Sequence, residues 1–332
     1  MQIGKLDSKL LTDIVFRHLT FRRPEVLTRP GIGEDCAVVD FGTYDCVLST
    51  DPITAAASDI GRLAMHISCN DIASNGVEPL AIMLAILLPP ETTEEEIEEI
   101  MRQAGEVSEA LGVEIVGGHT EITSAVNKPV VVSTALGRAL KGGLEAGRGT
   151  KPGDWILVTK QAGLEGTGII AREREAELAA LLSQQELAEA KAMLEQVSVV
   201  REGVIAGRIG VADMHDITEG GILGAVWEVC EKAFCGAEIF LDRIPVSPVT
   251  KKICAHYDMD WMRLISSGSM LIVVPEDKLQ SLEQALKEAA IPVARIGQIH
   301  EADRGRVLIS QDGREGQKIQ PPGSDELYRL GQ

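Results

Sequence analysis

The sequence lacks two features that would direct it to membranes or nucleic acids: a long apolar run and an excess of basic residues. Its most apolar stretch, "PLAIMLAILLPP" from Pro79, is about half the ~20 residues that a membrane-spanning helix needs. The N-terminus, "MQIGKLDSKLL", has no apolar signal-peptide core. The formal net charge of −18 would repel phosphate backbones and anionic lipids. We therefore expect a cytoplasmic protein that binds neither nucleic acid nor membrane.

Aromatic residues and patterned cysteines are also scarce. Only 3% of the residues are aromatic, although 45% are hydrophobic, so the core must be mainly aliphatic. With 332 residues, that core is large enough for two domains. The six cysteines are scattered and show no C-x-x-C spacing, which argues against a zinc or redox site. We interpret them as small, mostly buried apolar residues.

The common nucleotide-binding and hydrolase signatures are absent as well. The nearest approach to a P-loop, from Gly142 to Gly149, has Arg148 where the lysine should be and no Ser or Thr after it. No G-x-G-x-x-G follows a strand, and neither G-x-S-x-G nor H-E-x-x-H occurs. Any nucleotide must therefore be bound by other means.

The first part of the chain alternates strand and helix patterns. Thr93 and Glu96 form a capping-box pattern, and apolar residues follow at helical spacing up to Gly112. The segment order is β-α-β-α-β-β, which predicts one compact α+β unit. Strands are predicted at residues 45–50, 80–88, 113–118 and 129–139, and helices at 58–76 and 93–111.

A stretch rich in glycine and polar residues, 141–154, predicts a hinge between two domains. Strands and helices follow it and predict a second α/β unit. The predicted strands are 155–160, 236–241, 269–274, 292–299 and 306–310, and the predicted helices are 173–195, 218–233 and about 275–289.

Acidic residues stand at the ends of several apolar segments. Each alone could cap a helix or close a turn. Brought together, they would repel one another and would need a cation; Mg²⁺ prefers carboxylate oxygen and usually carries substrate phosphates. Glu34 and Asp35 would then help to hold a metal, and the metal a nucleotide. The other acids of this set are Asp51, Asp71, Asp213 and Asp216.

Two glycine pairs fit the same interpretation. Gly117 and Gly118 follow a predicted strand, and Gly220 and Gly221 precede a predicted helix, where free N–H groups favour an anion. Both pairs could equally be tight turns. His119 could hydrogen-bond a phosphate or take a proton, or be an ordinary turn histidine. Its possible partner, or a further metal ligand, is Glu121.

Seven motifs occur in the order expected of the aminoimidazole ribonucleotide (AIR) synthase-related superfamily, and they span nearly the whole chain. They are "GIGEDCAVVD", "LSTDPI", "NDIASNGVEPL", "VGGHTEIT", "KPGDWILVTK", "DITEGG" and "ISSGSMLIVV". This resemblance implies a PurM-like two-domain fold of α+β and α/β type. A ferredoxin-like ATP- and Mg²⁺-binding domain, 1–148, would pair in the barrel of a homodimer, and an α/β domain, 149–332, would follow it.

The resemblance also implies roles for individual residues. The family transfers a phosphoryl group from ATP to a substrate atom, with Mg²⁺ held by aspartates in place of a P-loop. The expected metal ligands are Asp35, Asp51, Asp71 and Asp216. The expected nucleotide-binding residues are these four with Thr50, Asn70, Gly117, Gly118, Thr120, Thr218, Gly220 and Gly221. The candidate catalytic residues are His119, where the family usually has an acid, and Glu121.

Within the superfamily, the sequence looks most like the hydrogenase-maturation branch, which dehydrates a carbamoyl group carried on a C-terminal cysteine. This chain ends in "DELYRLGQ", and its last cysteine is Cys254, so that reaction on its own tail is not expected. A small-molecule kinase resembling thiamine-monophosphate kinase is an alternative. So is a non-catalytic ATP-binding maturation or regulatory partner. The acceptor could accordingly be a small molecule or a group on a partner protein.

Overall fold

The computed structural model describes residues 4–54, 59–142, 149–310 and 315–331. It contains two mixed sheets, one from each half of the chain. From β3 onward, the first half has the predicted order β-α-β-α-β-β. Its elements are α1 (Ser8–Leu10), β1 (Val26–Thr28), β2 (Ala37–Asp40), β3 (Tyr44–Ile53), α2 (Ile60–Ser74), β4 (Pro79–Leu88), α3 (Glu94–Leu111), β5 (Glu114–Ile122) and β6 (Val130–Leu140).

The first sheet has the order β1-β2-β3-β6-β4-β5. Only β4 and β5 pair in parallel among its described strands. One face, with Val47, Ile82 and Val131 buried, carries α2 and α3. The opposite face is called the outer face here. Among the described residues, no helix of this chain covers it, and it presents half-buried or exposed apolar side chains at Leu48, Met83, Leu87, Val132 and Leu136.

Local signals placed the helix ends of this half correctly. Thr93 and Glu96 form both hydrogen bonds of a capping box at the start of α3, and Gly112 ends that helix in the left-handed conformation. One position of the predicted apolar face was wrong. Met101, which the helical spacing of apolar residues after Glu96 places on that face, is exposed, and Gln103 is buried instead, because the contact of α3 with α2 lies further round the helix.

The second half forms the second sheet, with the order β13-β12-β9-β11-β7-β10-β8. All its pairs are antiparallel except β9 with β12. Its elements are β7 (Trp155–Thr159), α4 (Leu164–Glu173), α5 (Glu175–Leu178), α6 (Gln184–Ala192), α7 (Val200–Ile209), β8 (Asp213–Asp216), α8 (Gly221–Lys232), β9 (Gly236–Phe240), α9 (Pro248–His256), β10 (Met270–Val274), α10 (Glu276–Glu288), β11 (Val293–His300), β12 (Arg306–Ile309) and β13 (Glu315–Lys318).

Two features of this half differ from the sequence prediction. The helix predicted at 173–195 is broken, because Ser183 and Glu186 form a second capping box and start a new helix there. The short strand β8 was not predicted, because its sequence, "DMHD", is too polar for the usual strand pattern. The predicted hinge and the boundary at 148/149 involve residues 143–148, outside the described residues.

The two halves meet through a close contact between α2 and α7. A Cβ atom on Gly203 would lie 2.2 Å from the carbonyl oxygen of Ala73, and one on Gly207 would lie 2.4 Å from the Cα atom of Gly76. Glycine at both positions therefore allows the backbones to approach. Buried apolar side chains of both halves form one continuous cluster across this contact. No helix of the described residues combines the length and apolarity needed to cross a bilayer.

Candidate active site

A cavity of about 310 Å³ lies between the two halves of the chain. Its wall combines residues of β3 and α2 with residues that follow β8 and with the C-terminal segment. Two neighbouring hollows share lining residues with it, one through Asp35 and one through Asp51. A compact pocket with polar groups from several elements is the usual form of a small-molecule site.

The structure brings the four predicted metal ligands to this one cavity. Asp51 lies near the end of β3, Asp71 in α2, and Asp216 at the end of β8; Asp35 lies in the loop before β2. Asp35, Asp51 and Asp71 come together within the first half of the chain, and the contact between the two halves adds Asp216. The cavity is therefore strongly acidic.

Burial makes three of these carboxyl groups hard to ionise. It raises the pKa of Asp35 and Asp71, and it raises that of Asp216 to about 7, with the nearby charge of Asp35 adding to the rise. Ser49 Oγ donates a hydrogen bond to Asp71 Oδ2. In contrast, Oδ2 of Asp216 is buried and has no hydrogen-bond partner among the described residues. A hard cation such as Mg²⁺ fits this set of carboxylate oxygens.

His215 lies among the acids, and sequence analysis missed it. Its Nδ1 atom lies 2.8 Å from the main-chain oxygen of Asp216 and 3.4 Å from Asp35 Oδ1, and its Nε2 atom lies 3.0 Å from Glu228 Oε2. Burial lowers its pKa, but these acids outweigh burial and raise the pKa to about 10. Because both ring nitrogens face acceptors, the ring is an imidazolium that neutralises Asp35 in this structure. One ring nitrogen also lies within 4.8 Å of oxygens of Asp35 and Asp216, a grouping of ligand atoms that could hold a metal ion.

Glu34 lines the cavity beside Asp35, as its sequence position suggested, but its carboxylate is engaged by a lysine. Its Oε2 atom lies 3.4 Å from Nζ of Lys232, which also lies 3.3 Å from Asp213 Oδ1. This lysine, on α8, therefore ties the loop before β2 to the second half of the chain. Glu34 and Asp213 are anchors of that loop in this structure.

The predicted polar neighbours of the aspartates divide into two groups. Thr50 and Thr218 line the cavity; Thr50 Oγ1 donates to Ser133 O, and Thr218 Oγ1 accepts a hydrogen bond from Lys5 Nζ at 3.3 Å. Asn70 does not line it and is fully buried. Its amide group donates to the carbonyl of residue 197 and accepts from the N–H of residue 199, both at 2.8 Å. Asn70 is therefore a structural clip between the halves, because its side chain points away from the cavity.

The predicted glycine turn at Gly117 and Gly118 is part of a strand. Both residues lie inside β5, which continues to Ile122 and pairs with β4. Glycine at position 118 allows β5 to lie this close to β4, because a Cβ atom there would lie 1.8 Å from the carbonyl oxygen of Leu84. His119, Thr120 and Glu121 continue the same strand. All three are exposed.

This strand places the predicted catalytic pair away from the acidic cavity of the same chain. His119 Nε2 lies 3.2 Å from Glu121 Oε2, so the predicted partnership of the two side chains exists. However, β5 is three strands from β3 in the sheet order, which corresponds to about 14 Å between His119 and Asp51. None of the described residues from Gly117 to Glu121 lines the cavity.

The second glycine pair begins α8 as predicted, but its N–H groups are not free. Gly220 N–H donates to Asp325 Oδ2 at 2.8 Å, and Gly221 N–H donates to the carbonyl of Thr218. Asp325 belongs to the C-terminal segment, whose Leu327 also lines the cavity. The position expected for a phosphate is therefore filled by a carboxylate of the chain itself.

Several cavity residues had no recognisable sequence signal. They stand in ordinary loop or helix-start sequences and were brought to the site only by tertiary contacts. They are Lys5, Glu165, Asp325 and Tyr328. Glu219 and Ser267 also line the cavity; they lie within the quoted motifs "DITEGG" and "ISSGSMLIVV", but neither was singled out.

Comparison with known proteins assigns both halves to the same family. The model of the AIR synthase related protein N-terminal domain matches residues 33–139, and the model of the C-terminal domain matches residues 151–310. The fold is the two-domain PurM-like fold expected from the motifs. A hydrogenase maturation protein HypE, solved in complex with ATP, has the same fold with a TM-score of 0.73 and 22% identity, over 99% of this chain and 98% of that one.

Two curated relatives match most of the chain. A putative hydrogenase expression/formation protein of Methanocaldococcus jannaschii is 27% identical, over 86% of this chain and 84% of its own length. A thiamine-monophosphate kinase of Methanospirillum hungatei is 29% identical, over 85% of this chain and 90% of its own length. Because the two family models together match more than half of its residues, the chain belongs to the AIR synthase related protein family.

Proposed function

We propose that this chain is an ATP- and Mg²⁺-dependent enzyme that activates a small substrate by phosphoryl transfer. The observation that carries the proposal is the convergence of four aspartates on one cavity without a P-loop; Asp71 and Asp216 are buried, and the other two are half-buried. The four are Asp35, Asp51, Asp71 and Asp216. Relatives named as a kinase and as a hydrogenase expression/formation protein support this class of reaction.

Each aspartate has a defined part in this proposal. Asp51, Asp71 and Asp216 would hold Mg²⁺, with Ser49 fixing the orientation of Asp71 through its hydrogen bond. Asp35, neutralised by its neighbouring imidazolium, would complete the set. Bound Mg²⁺ neutralises charge that develops on the transferred phosphoryl group.

Calorimetric titration with a non-hydrolysable ATP analogue tests the site. We expect binding to the parent protein that requires Mg²⁺ and is lost in Asp71→Asn. The exposed Asp242, which does not line the cavity, gives the control variant Asp242→Asn, which should bind as the parent does. Equal binding by Asp71→Asn and the parent would refute the assignment.

The acceptor class separates two candidate functions. All six cysteines lie in the described part of the chain, five buried and Cys46 half-buried. Because none of these thiols is exposed, a carbamoyl group carried on a cysteine of this chain is disfavoured as the acceptor. A small-molecule acceptor, as in a kinase, is favoured instead. A hydrogenase-maturation role would then act on a group presented by a partner protein. ADP release in the presence of candidate acceptors distinguishes these cases, and no ADP release with any of them would favour a non-catalytic ATP-binding partner.

We also propose a homodimer formed through the outer face of the first sheet. Apolar side chains on an uncovered sheet face indicate an interface, and cross-strand neighbours Leu48 and Leu136 lie in its middle. In such a dimer, His119 and Glu121 could serve the nucleotide site of the partner subunit, because they lie away from the cavity of their own chain. Leu136→Glu should give a monomer in analytical ultracentrifugation, whereas a surface change at Glu98 on α3 should not.

Two further points complete the proposal. We retain the division into an ATP- and Mg²⁺-binding domain, 1–148, and a second domain, 149–332. A cytoplasmic location is favoured by the six free cysteines, because disulfides form mainly in oxidising compartments.

A further inference from the structure

Two buried side chains of the cavity each carry a polar atom without a well-formed hydrogen bond among the described residues, and neither belongs to the expected metal ligands. Glu165 is 5% exposed and Ser267 is 0% exposed. Glu165 Oε2 and Ser267 Oγ have no partner among the described residues, and both residues line the cavity. Buried polar atoms are normally hydrogen-bonded. A ligand group that supplies the missing partners would therefore bind beside both side chains.

The backbone around these two residues is fixed. Glu165 lies in the first turn of α4, directly after Gly163, whose left-handed conformation begins the helix. The N–H of Gly163 donates to Ser266 Oγ at 2.6 Å, so the start of α4 is held to the loop that carries Ser267. The two unpartnered groups are thus preorganised, which reduces the entropic cost of binding a ligand.

The charge around Glu165 determines which ligand group is suitable. Its pKa is raised to about 8, mainly by burial; the closeness of the Ser267 side chain and N–H opposes the rise, and the nearby charges of Glu219 and Asp325 add to it. The described lining residues of the cavity include eight acidic side chains and one basic side chain, Lys5. That lysine already lies 3.9 Å from Glu219. A cation is favoured in such surroundings, whereas an anion would be repelled.

We propose that Glu165 and Ser267 form the subsite for the acceptor substrate and bind a cationic nitrogen group, an ammonium or an amidinium. Glu165 Oε2 accepts one N–H of this group, and Ser267 Oγ accepts another. The assignment rests on the proposed function, because it places the acceptor beside the nucleotide in the same cavity. It extends that function by giving the acceptor a positive charge.

Three probes of the same shape test the charge requirement. Acetamidinium, acetamide and acetate carry charges of +1, 0 and −1, and the methyl group of each reports binding in saturation-transfer NMR. With Mg²⁺ and a non-hydrolysable ATP analogue present, we expect acetamidinium to bind at least about tenfold more tightly than the other two, about 1.4 kcal/mol. Equal binding of acetamide or acetate, or no binding of acetamidinium, would overturn the proposal.

Two variants assign the effect to the residues. Glu165→Gln keeps the size of the side chain and should weaken acetamidinium binding by at least about tenfold at pH 9, because the charge partner is lost. Ser267→Ala should weaken it by less, because it removes one uncharged acceptor. Unchanged acetamidinium binding in Glu165→Gln would contradict the assignment.

A pH series separates charge pairing from a merely structural role. The ionised form of Glu165 binds the cation, so affinity should rise about tenfold between pH 7 and pH 9 as a group with a pKa of about 8 ionises. Lys5 keeps its charge in this range, Tyr328 stays neutral with a pKa raised by burial to about 12, and Asp325, with a pKa of about 6, is already ionised. Glu219 also faces the group. The rise should be absent in Glu165→Gln.

Failure of this subsite is distinguishable from failure of the proposed function. Binding of the ATP analogue is measured first on the same preparation. If the analogue binds with Mg²⁺ and acetamidinium does not, only the subsite is wrong. If the analogue does not bind, the nucleotide site itself is wrong, and the probes are then meaningful only as a test of the isolated acidic pocket.

Discussion

Replacement of Asp325 by alanine should release the C-terminal segment from the start of α8. The Asp325 carboxylate accepts three backbone hydrogen bonds, from Gly220 at 2.8 Å, Leu327 at 2.9 Å and Ile265 at 3.2 Å. Asp325→Ala leaves all three N–H groups without this partner. At about 1 kcal/mol for each bond, the free energy of unfolding should fall by about 3 kcal/mol. Burial has already raised the pKa of this carboxyl to about 6, so it is ionised at pH 7.5.

The measurement combines thermal unfolding with hydrogen exchange at the three amides. A loss of about 3 kcal/mol corresponds to about 4 °C in a chain of this size. Asp325→Asn keeps one acceptor oxygen but places an amide NH2 group opposite a backbone N–H donor. Its loss of unfolding free energy should therefore be smaller than that of Asp325→Ala. Asp242→Ala, on the surface, is the control. An Asp325→Ala protein with the unfolding temperature and amide protection of the parent would show that the segment is held by other contacts.

Two further substitutions test the residues whose predicted roles changed. Gly118→Ala should cost at least about 3 kcal/mol, because its Cβ atom would overlap the carbonyl oxygen of Leu84. Gly117→Ala has a similar φ but an open surrounding, so it should cost only about 1–2 kcal/mol; equal losses in urea unfolding would contradict the steric argument. Asn70→Leu should lower stability by about 2–4 kcal/mol, because it leaves two buried backbone groups unpaired. Its folded fraction should still bind the ATP analogue with the affinity of the parent, and a selective loss of binding would restore Asn70 to the nucleotide site.

The sequence was most informative where a local pattern has one physical cause. The capping box at Thr93, the glycine stop at Gly112 and the alternation of strands and helices depend on neighbours within a few residues. Acidic residues such as Asp51 and Asp71 also stood out, because burying a charged side chain beside an apolar segment is energetically unfavourable unless a partner or a metal ion compensates it. Their convergence on one cavity agrees with that interpretation.

Predictions that depended on distant contacts were less successful. Gly118 was interpreted as a turn, because the sequence does not show that the backbone of Leu84 lies against it. Gly220 was expected to leave an N–H group free, because the sequence does not show that Asp325, 105 positions later, reaches it. Glu165 could not be recognised from the sequence, because glutamate is common in the first turn of a helix and only the structure shows that this one is buried.

The close contact between α2 and α7 has a mechanical consequence for the acidic cavity. The carboxylates of Asp71, on α2, and Asp216, which follows α7, repel each other across the boundary between the halves. Gly203 and Gly207 allow the two helices to interlock at backbone distance, and this seam resists the separation that the repulsion favours. A contact two residues along α2 from Asp71 thus holds the acidic groups of the two halves together, and a bound cation would remove the repulsion that opposes it.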